Sequence, residues 1–491
     1  MTLPRFDWSA HGAFRNRVAD LAGLEDWWTS PSRDALCLFG RRRVGKSWLF
    51  REFAHGKPAV ILVADRRLAG PQMSRFADEL EGALAVRPEI RDVADLLRVC
   101  YRLGRGAPVL VVIDELPYLL PDGTARAETL TALQRVMEEE RDSSTTKLVL
   151  CGSLIGQMES LLALGSPLHG RLVPLEVRPM GIGEARALLD PADDARAQIT
   201  RYAISGGMAR HLAELGGGNL RTAVCRRVLD HRGPLFSDPR SVLEQELRQP
   251  ATYFSLLEEL AAGERSIEHL ATATGTTTKT LAPYLATLES MRLISQRLPV
   301  GTPPGTRGRR RFRIDDGFIR FWFRFVFPHQ DALEEGLAPG DLWDGEITEF
   351  LPDHVAATFE HLCARYVRRR HGQEAPTVGG WWGDALHAER RAGRRMSEEI
   401  DVVGAHRRRL RIVGECKWTA KPMRSAVLDD LRTWKIPALV QEGRLTASAQ
   451  GPRILLFARN GFDASLRRIA GRDSRVELID AEQLLDGLGG G

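Results

Sequence analysis

Apolar positions in the first third of the chain come in short unbroken runs separated by stretches of helical period. The runs Ala35–Phe39, Ala59–Val63, Val109–Ile113 and Lys147–Cys151 have the pattern of strands buried on both faces. Between them, residues 73–84 and 128–139 repeat apolar positions every three to four residues, which predicts helices. Such alternation predicts a parallel sheet covered by helices on both sides. Residues 183–215 are again helical in pattern and are expected to form a lid.

The middle of the chain changes character. Three helices are predicted over 251–260, 266–273 and 277–291, followed by strands over 293–298 and 311–314 that flank a Gly/Pro/Arg-rich hairpin at 301–311. Three helices and a two-stranded wing describe a winged helix. The cluster Phe318, Phe321, Trp322, Phe323, Phe325 and Phe327 is too dense for a solvated helix and is expected to pack between domains. Residues 331–345 are acidic and contain Gly and Pro, which predicts a boundary there. A last α/β unit follows: a helix over 354–370, strands over 380–386, 399–403 and 410–416, a helix over 424–434, a strand over 453–457, a helix over 463–470 and a strand over 475–479. The reading is a multidomain α/β chain with a core at 1–180, a helical lid at 181–245, a winged helix at 246–330 and a final unit at 346–491.

Composition narrows the class. With 491 residues, 43% hydrophobic and 27% charged, the chain is expected to be a soluble globular protein. No apolar run nears the ~20 residues that span a bilayer, and the first residues lack the apolar core of a signal peptide, so a cytoplasmic protein without membrane contact is expected. The six cysteines show no C-x-x-C spacing and no zinc pattern, which fits a reducing compartment. A net charge of +5 permits nucleic-acid binding without requiring it.

The candidate chemistry begins after the first strand. Residues 40–47 read Gly-Arg-Arg-Arg-Val-Gly-Lys-Ser, a G-x-x-x-x-G-K-[ST] loop between a strand and a helix. Glycines allow a nest of backbone N–H groups to face a phosphate, and the helix N-terminus adds partial positive charge. Gly40, Arg43, Val44, Gly45, Lys46 and Ser47, with Trp48 behind them, are the expected nucleotide contacts. Lys46 reaches the β/γ-phosphates and Ser47 ligates Mg²⁺. The run Val109–Ile113 ends in Asp114 and Glu115. Asp114 is expected to hold the Mg²⁺, and Glu115 to polarise the attacking water. Ser153, at the end of the next apolar strand, is a candidate for a polar group near the γ-phosphate, or else part of a plain turn.

These motifs together resemble the archaeal-type P-loop ATPase family, a branch near the AAA+ and STAND ATPases. The resemblance is carried by the loop at 40–47, Ile-Asp-Glu-Leu-Pro-Tyr-Leu at 113–119, Leu-Cys-Gly-Ser at 150–153 and Ser-Pro-Leu-His-Gly-Arg at 166–171. Phe14-Arg15-Asn16-Arg17 resembles the family's upstream nucleotide-contacting segment, and Ile-Ser-Gly-Gly-Met-Ala at 204–209 its lid motif, with Ala209 in place of a proline. The resemblance implies ATP and Mg²⁺ as cofactors. It makes Arg171 either a γ-phosphate sensor or an exposed structural arginine. It extends through Gly233-Pro-Leu-Phe and the winged helix, and many members end in a PD-(D/E)XK nuclease-related domain.

A last signal lies in that final unit. Glu399-Ile-Asp401 and Glu415-Cys-Lys417 sit on two runs that read as antiparallel strands joined at 406–409. Period-two alternation places Glu415 and Lys417 on one face with Asp401 close by. Carboxylates there can hold Mg²⁺ or Mn²⁺ and a lysine can stabilise charge, the D…E-x-K arrangement of PD-(D/E)XK nucleases, with Glu360 as an extra acid. Expected catalytic residues are Glu115, Asp401, Glu415 and Lys417. Expected metal ligands are Ser47, Asp114, Glu360, Asp401 and Glu415. A salt-bridge ladder, or a nuclease-like fold that only binds, would use the same residues. Trp382 and Trp418 either stack on bases or belong to the core. Thr276–Lys279 and the wing residues Arg307, Arg309, Arg310 and Arg311 either meet DNA phosphates or form a solvated surface, since winged helices also dock proteins. The expected function is Mg²⁺-dependent ATP hydrolysis with DNA binding and cleavage. The alternative is a nucleotide-controlled assembly switch with protein partners or a homo-oligomer.

Overall fold

Five apolar strands nucleate the first unit: β1 Ala35–Phe39, β2 Ala59–Val63, β3 Val109–Asp114, β4 Thr146–Gly152 and β5 Leu172–Glu176. The structure is a computed structural model, and it describes residues 5–8, 16–247, 249–303, 306, 309–386 and 397–489. Phe14, Arg15 and Arg307 lie outside them. The chain divides into two compact units, residues 1–180 with 208–210, and residues 181–207 with 211–491.

In the first unit all neighbouring strands are parallel, in the order β2-β3-β4-β1-β5. The register aligns the strand ends: Phe39 pairs with Gly152 and Glu176, and Asp114 with Val63. The C-terminal ends of β1, β3, β4 and β5 therefore form one edge. Strands β1, β3 and β4 are buried along their whole length, as their unbroken apolar runs require. Strand β5 escapes a hydrophobic-run search because it is a half-exposed edge strand carrying Pro174.

The second unit holds the three helices Pro250–Ala261, Ile267–Ala273 and Thr278–Ser290. Ser266 and Thr277 cap the second and third by accepting from His269 N–H and Thr280 N–H. Behind them the strands β6 Ile294–Arg297 and β7 Arg311–Ile314 pair antiparallel. Ile294, Phe312 and Ile314 are buried in the same core as these helices. Alternation then puts Ser295, Arg297, Arg311 and Arg313 on the other face, with Arg297 directly opposite Arg311.

Phe318, Phe321, Trp322, Phe323 and Phe325 are fully buried in a core that runs from Ile204 to Ile347. The indole of Trp322 donates to the Phe236 carbonyl at 2.7 Å. The acidic stretch 331–345, expected to be a boundary, belongs to this core. Leu333, Leu342 and Trp343 are buried in it while Asp331, Glu334 and Glu335 face solvent. One apolar side chain per turn suffices to anchor an otherwise charged helical segment.

The long helix Thr348–His371 leads into a second sheet, β8 Thr377–Asp384, β9 Ser397–His406, β10 Arg409–Lys417, β11 Arg453–Ala458 and β12 Val476–Asp480, in the order β12-β11-β10-β9-β8. Strand β9 is antiparallel to both β8 and β10, and β11 and β12 continue parallel from β10. Among the described residues no helix is long and apolar enough to cross a membrane.

Candidate nucleotide site and a second carboxylate–lysine site

The loop 40–47 leaves β1 at the common strand edge. A Cβ on Gly40 would lie 2.3 Å from the Val177 carbonyl oxygen, and Gly45 has φ of 104° with Ala209 packed over it, so both positions require glycine. Arg17 ties the loop down: its buried guanidinium donates to the Val44 and Arg178 carbonyls, both at 2.6 Å. The Val44 side chain is fully buried, which leaves its backbone for the loop. Lys46 Nζ donates to the Gly40 carbonyl at 2.8 Å and the Arg41 carbonyl at 3.1 Å, so its ammonium curls over the loop that would hold the phosphates.

The expected partners from β3 and β4 meet this loop. Ser47 Oγ donates to Asp114 Oδ2 at 3.2 Å, and Asp114 Oδ1 accepts the Glu115 N–H at 3.0 Å. Glu115 sits in the left-handed region with φ of 56°. A non-glycine residue held there stores backbone strain of the kind concentrated at functional sites. Its Oε2 accepts from the Ser153 N–H at 3.2 Å and from Ser153 Oγ at 2.9 Å. Ser153 therefore orients Glu115 directly. The Ser47 hydroxyl and Asp114 carboxylate form a hard-oxygen pair that fits Mg²⁺.

Positive charge gathers on the same loop. Burial first, then repulsion from Arg210 and Arg42, pulls the Arg43 guanidinium down to about 10. Arg42 donates to the Tyr118 hydroxyl. Trp48 is 46% exposed and meets Trp8 edge-on at 5.7 Å. Of the two roles open to Arg171, the geometry fits the structural one. The residue precedes Leu172, which pairs with Ala35 at the start of β1, whereas the phosphate loop follows Phe39 at its end. Five residues of strand, about 17 Å, separate the two edges. Arg171 instead pairs with Glu138. Sequence reasoning does not single out Arg210 or Tyr118 as contacts of this loop: Arg210 lies in none of the motifs, and Tyr118, though inside the run 113–119, carries no phosphate-binding signal of its own.

The second site lies where β9 and β10 run side by side. Glu415, only 1% exposed, has both carboxylate oxygens engaged: Oε2 by Lys417 Nζ at 2.9 Å and Oε1 by Lys435 Nζ at 2.6 Å. Lys435, at the end of a helical turn between β10 and β11, is not signalled by the sequence pattern. Asp401 Oδ2 accepts the Cys416 N–H at 2.7 Å. Burial, with added repulsion from Glu415, pushes the Asp401 carboxyl up to about 7. Burial, with repulsion from Asp401, Glu264 and Glu399, pushes Glu360 up to about 8. Burial lowers the Lys417 ammonium, but Glu415 and Asp401 outweigh that and hold it above its ordinary value.

This geometry alters the expected metal set. Among the described residues no three His, Cys, Asp or Glu side chains converge tightly enough to enclose an ion. Glu415 is occupied as the anion between two lysines. Glu360 and Asp401, both half-buried and close enough to repel each other, remain as the carboxyls that could take a hydrated divalent cation. Trp382 and Trp418 are both buried; Trp418 packs against Phe359 at 5.0 Å.

A pH prediction follows from Glu360. Its folded pKa exceeds the unfolded value of ~4.3, so the folded chain binds more protons between the two. The stability it contributes is complete below the unfolded value and is lost as pH rises through about 8. In metal-free buffer, Glu360→Gln is expected to melt above the wild type at alkaline pH and level with it in acid. Parallel melting curves across pH would contradict this.

The arginines of the β6–β7 hairpin do not face solvent alone. Arg311 Nη1 lies 3.1 Å from Glu399 Oε2, Arg309 pairs with Glu442, and Arg297 with Glu264. Arg309 and Arg311 thus have carboxylate partners, on the neighbouring sheet and beside it. Arg310 donates to the Thr306 carbonyl at 3.4 Å.

Comparison with known proteins finds likenesses over most of the chain. Residues 14–215 match a family model described as an ATPase domain predominantly from Archaea. Residues 322–427 match one described as archaeal and bacterial proteins of unknown function. An uncharacterised protein of Methanocaldococcus jannaschii is 23% identical over 399 residues, covering 79% of this chain and 84% of its own length. Among solved structures, a Walker-type ATPase of Pyrococcus abyssi aligns at 20% identity and a TM-score of 0.48, over 63% of this chain and 96% of that one. A chain of Drosophila ORC bound to AT-rich DNA and Cdc6 aligns at 12% identity and a TM-score of 0.23, over 64% of this chain and 90% of that one. The matched ATPase domain supports nucleotide hydrolysis, and the parallel five-stranded sheet is consistent with the P-loop fold.

Proposed function

We propose that this chain hydrolyses ATP with Mg²⁺, binds DNA, and carries in its C-terminal sheet a nuclease-like site that cleaves phosphodiesters. The observation that carries the ATPase reading is the Ser47–Asp114 hydrogen bond of 3.2 Å beside Lys46, which joins the phosphate loop to the end of β3. Bound Mg²⁺ neutralises charge on the phosphate oxygens. Ser47 and Asp114 would hold it, Lys46 binds the phosphates, Glu115 orients and deprotonates the water, and Ser153 positions Glu115.

The DNA-cleaving part rests on the β9–β10 pair with Asp401, Glu415 and Lys417, behind the helix that carries Glu360. The three helices with the β6–β7 hairpin are read as a winged helix. In the proposed cleavage Asp401 and Glu360 would hold a divalent cation, which would activate water and neutralise phosphate charge, while Glu415 fixes Lys417 and Lys435. Linear, supercoiled and branched DNA incubated with Mg²⁺ or Mn²⁺ is the test. Cleavage by the wild type and its loss in Asp401→Asn are expected.

A nucleotide-controlled assembly switch is the second reading, favoured by one observation. The two lysines neutralise Glu415, so the site is poorer in free carboxylate than its sequence pattern suggests. Intact DNA under every condition, with ATP hydrolysis retained, would favour that reading instead.

A further inference from the structure

The face of the β6–β7 hairpin that does not pack on the helices is basic and is already occupied. Arg297 and Arg311 stand directly opposite each other across the two strands. Like charges in that position destabilise a strand pair unless anions or a π-face lie over them. Both are present. Arg311 and Arg297 lie 4.6 Å and 5.7 Å from the ring of Trp382 on β8, and Glu399 on β9 pairs with Arg311. Farther out, Arg309 pairs with Glu442 and its carbonyl accepts the Trp382 indole N–H at 3.2 Å.

The backbone joins as well. The Val300 N–H donates to the Gly380 carbonyl at 2.9 Å, on the edge strand of the C-terminal sheet. The Arg297 guanidinium lies against Gly380, 2.7 Å from where a Cβ would stand. The hairpin is therefore docked by charge, by an aromatic ring and by a hydrogen bond.

We propose that Glu399 and Glu442 stand in for DNA phosphates on the wing, so that the C-terminal sheet and the DNA backbone compete for Arg309 and Arg311. The inference rests on the DNA-binding reading and adds a mask to it. A carboxylate and a phosphate offer a guanidinium the same planar pair of acceptors. The Arg311 and Glu399 side chains are 31% and 51% exposed, so a polyanion can reach them. DNA that takes both arginines undocks the wing from the strand pair that carries Asp401. By linkage, docking weakens DNA binding by the same factor that DNA weakens docking.

The test is anisotropy of a labelled duplex with the full chain, over a salt series from about 50 to 300 mM. Glu399→Gln/Glu442→Gln is expected to bind roughly three- to tenfold more tightly than the wild type. Its salt slope should steepen by about 2, one unit for each arginine released to a phosphate. Arg309→Ala/Arg311→Ala should weaken binding and flatten the slope. Glu399→Asp/Glu442→Asp keeps the ion pairs and should behave as the wild type. If the wild type binds DNA and the Gln variant binds no tighter, the competition is overturned and the DNA reading stands. An Asp variant that tightens as much as the Gln variant overturns it too, since loosening of the fold would then explain the gain. If no variant binds DNA at low salt, the DNA reading fails and the competition with it.

Discussion

Glu115→Gln is expected to lower the ATP turnover number by roughly two to four orders of magnitude while leaving ATP affinity within a few fold. The carboxylate is presented at the end of β3 in a left-handed backbone conformation, one residue after Asp114 and against Ser153. The amide keeps the hydrogen bond from Ser153 and removes only the ability to take a proton from water. An isosteric change with so local an effect isolates the chemical step. Ser153→Ala should give a smaller loss, because it frees Glu115 to rotate without changing its basicity. Steady-state phosphate release and ATP titration on the same preparations check both. Equal turnover in Glu115→Gln and the wild type would remove Glu115 from the mechanism.

Glu415→Ala is expected to cost about 3–5 kcal/mol of stability, the effect of breaking a buried ion pair from one side. Glu415 holds the ammonium of Lys435, a residue only 8% exposed, and that of Lys417 as well. Without it the two ammonium groups lose the anion that bridges them. Thermal melting of the full chain should show an earlier transition; a shift worth less than about 1 kcal/mol would contradict the bridging role. The same reasoning makes Asp401 the better probe of cleavage. Its carboxyl lies near neutrality through burial, so an asparagine there replaces a group that is already partly uncharged.

The local parts of this protein are legible in the sequence and the topological parts are not. The phosphate loop, Asp114, Glu115 and Ser153 each follow a continuous apolar strand, so their position at a strand end can be read along the chain. That these ends form one edge depends on register. A sequence reading leaves Arg171 open between two roles for that reason: it precedes β5, a strand whose proline and half-exposed pattern hide it, at the edge opposite the phosphate loop. Lys435 lies 20 residues beyond Glu415 on a helix, and no spacing rule joins a strand to a side chain returning from across a sheet. Arg309 and Arg311 of the hairpin are recognisable as anion-binding groups, but their partners Glu442 and Glu399 lie 133 and 88 residues away along the chain. The segment 331–345 has the composition of a linker, while its few apolar residues are placed for a core.

The most direct test of the account is phosphate release from ATP by the purified chain in Mg²⁺, with Ser47→Ala and an EDTA control beside it. Turnover in Mg²⁺, abolished by EDTA and strongly reduced in Ser47→Ala, is the predicted result. Turnover that survives both, or ATP binding that is indifferent to Lys46→Ala, would contradict the assignment of the loop at 40–47 and Asp114 as the nucleotide site.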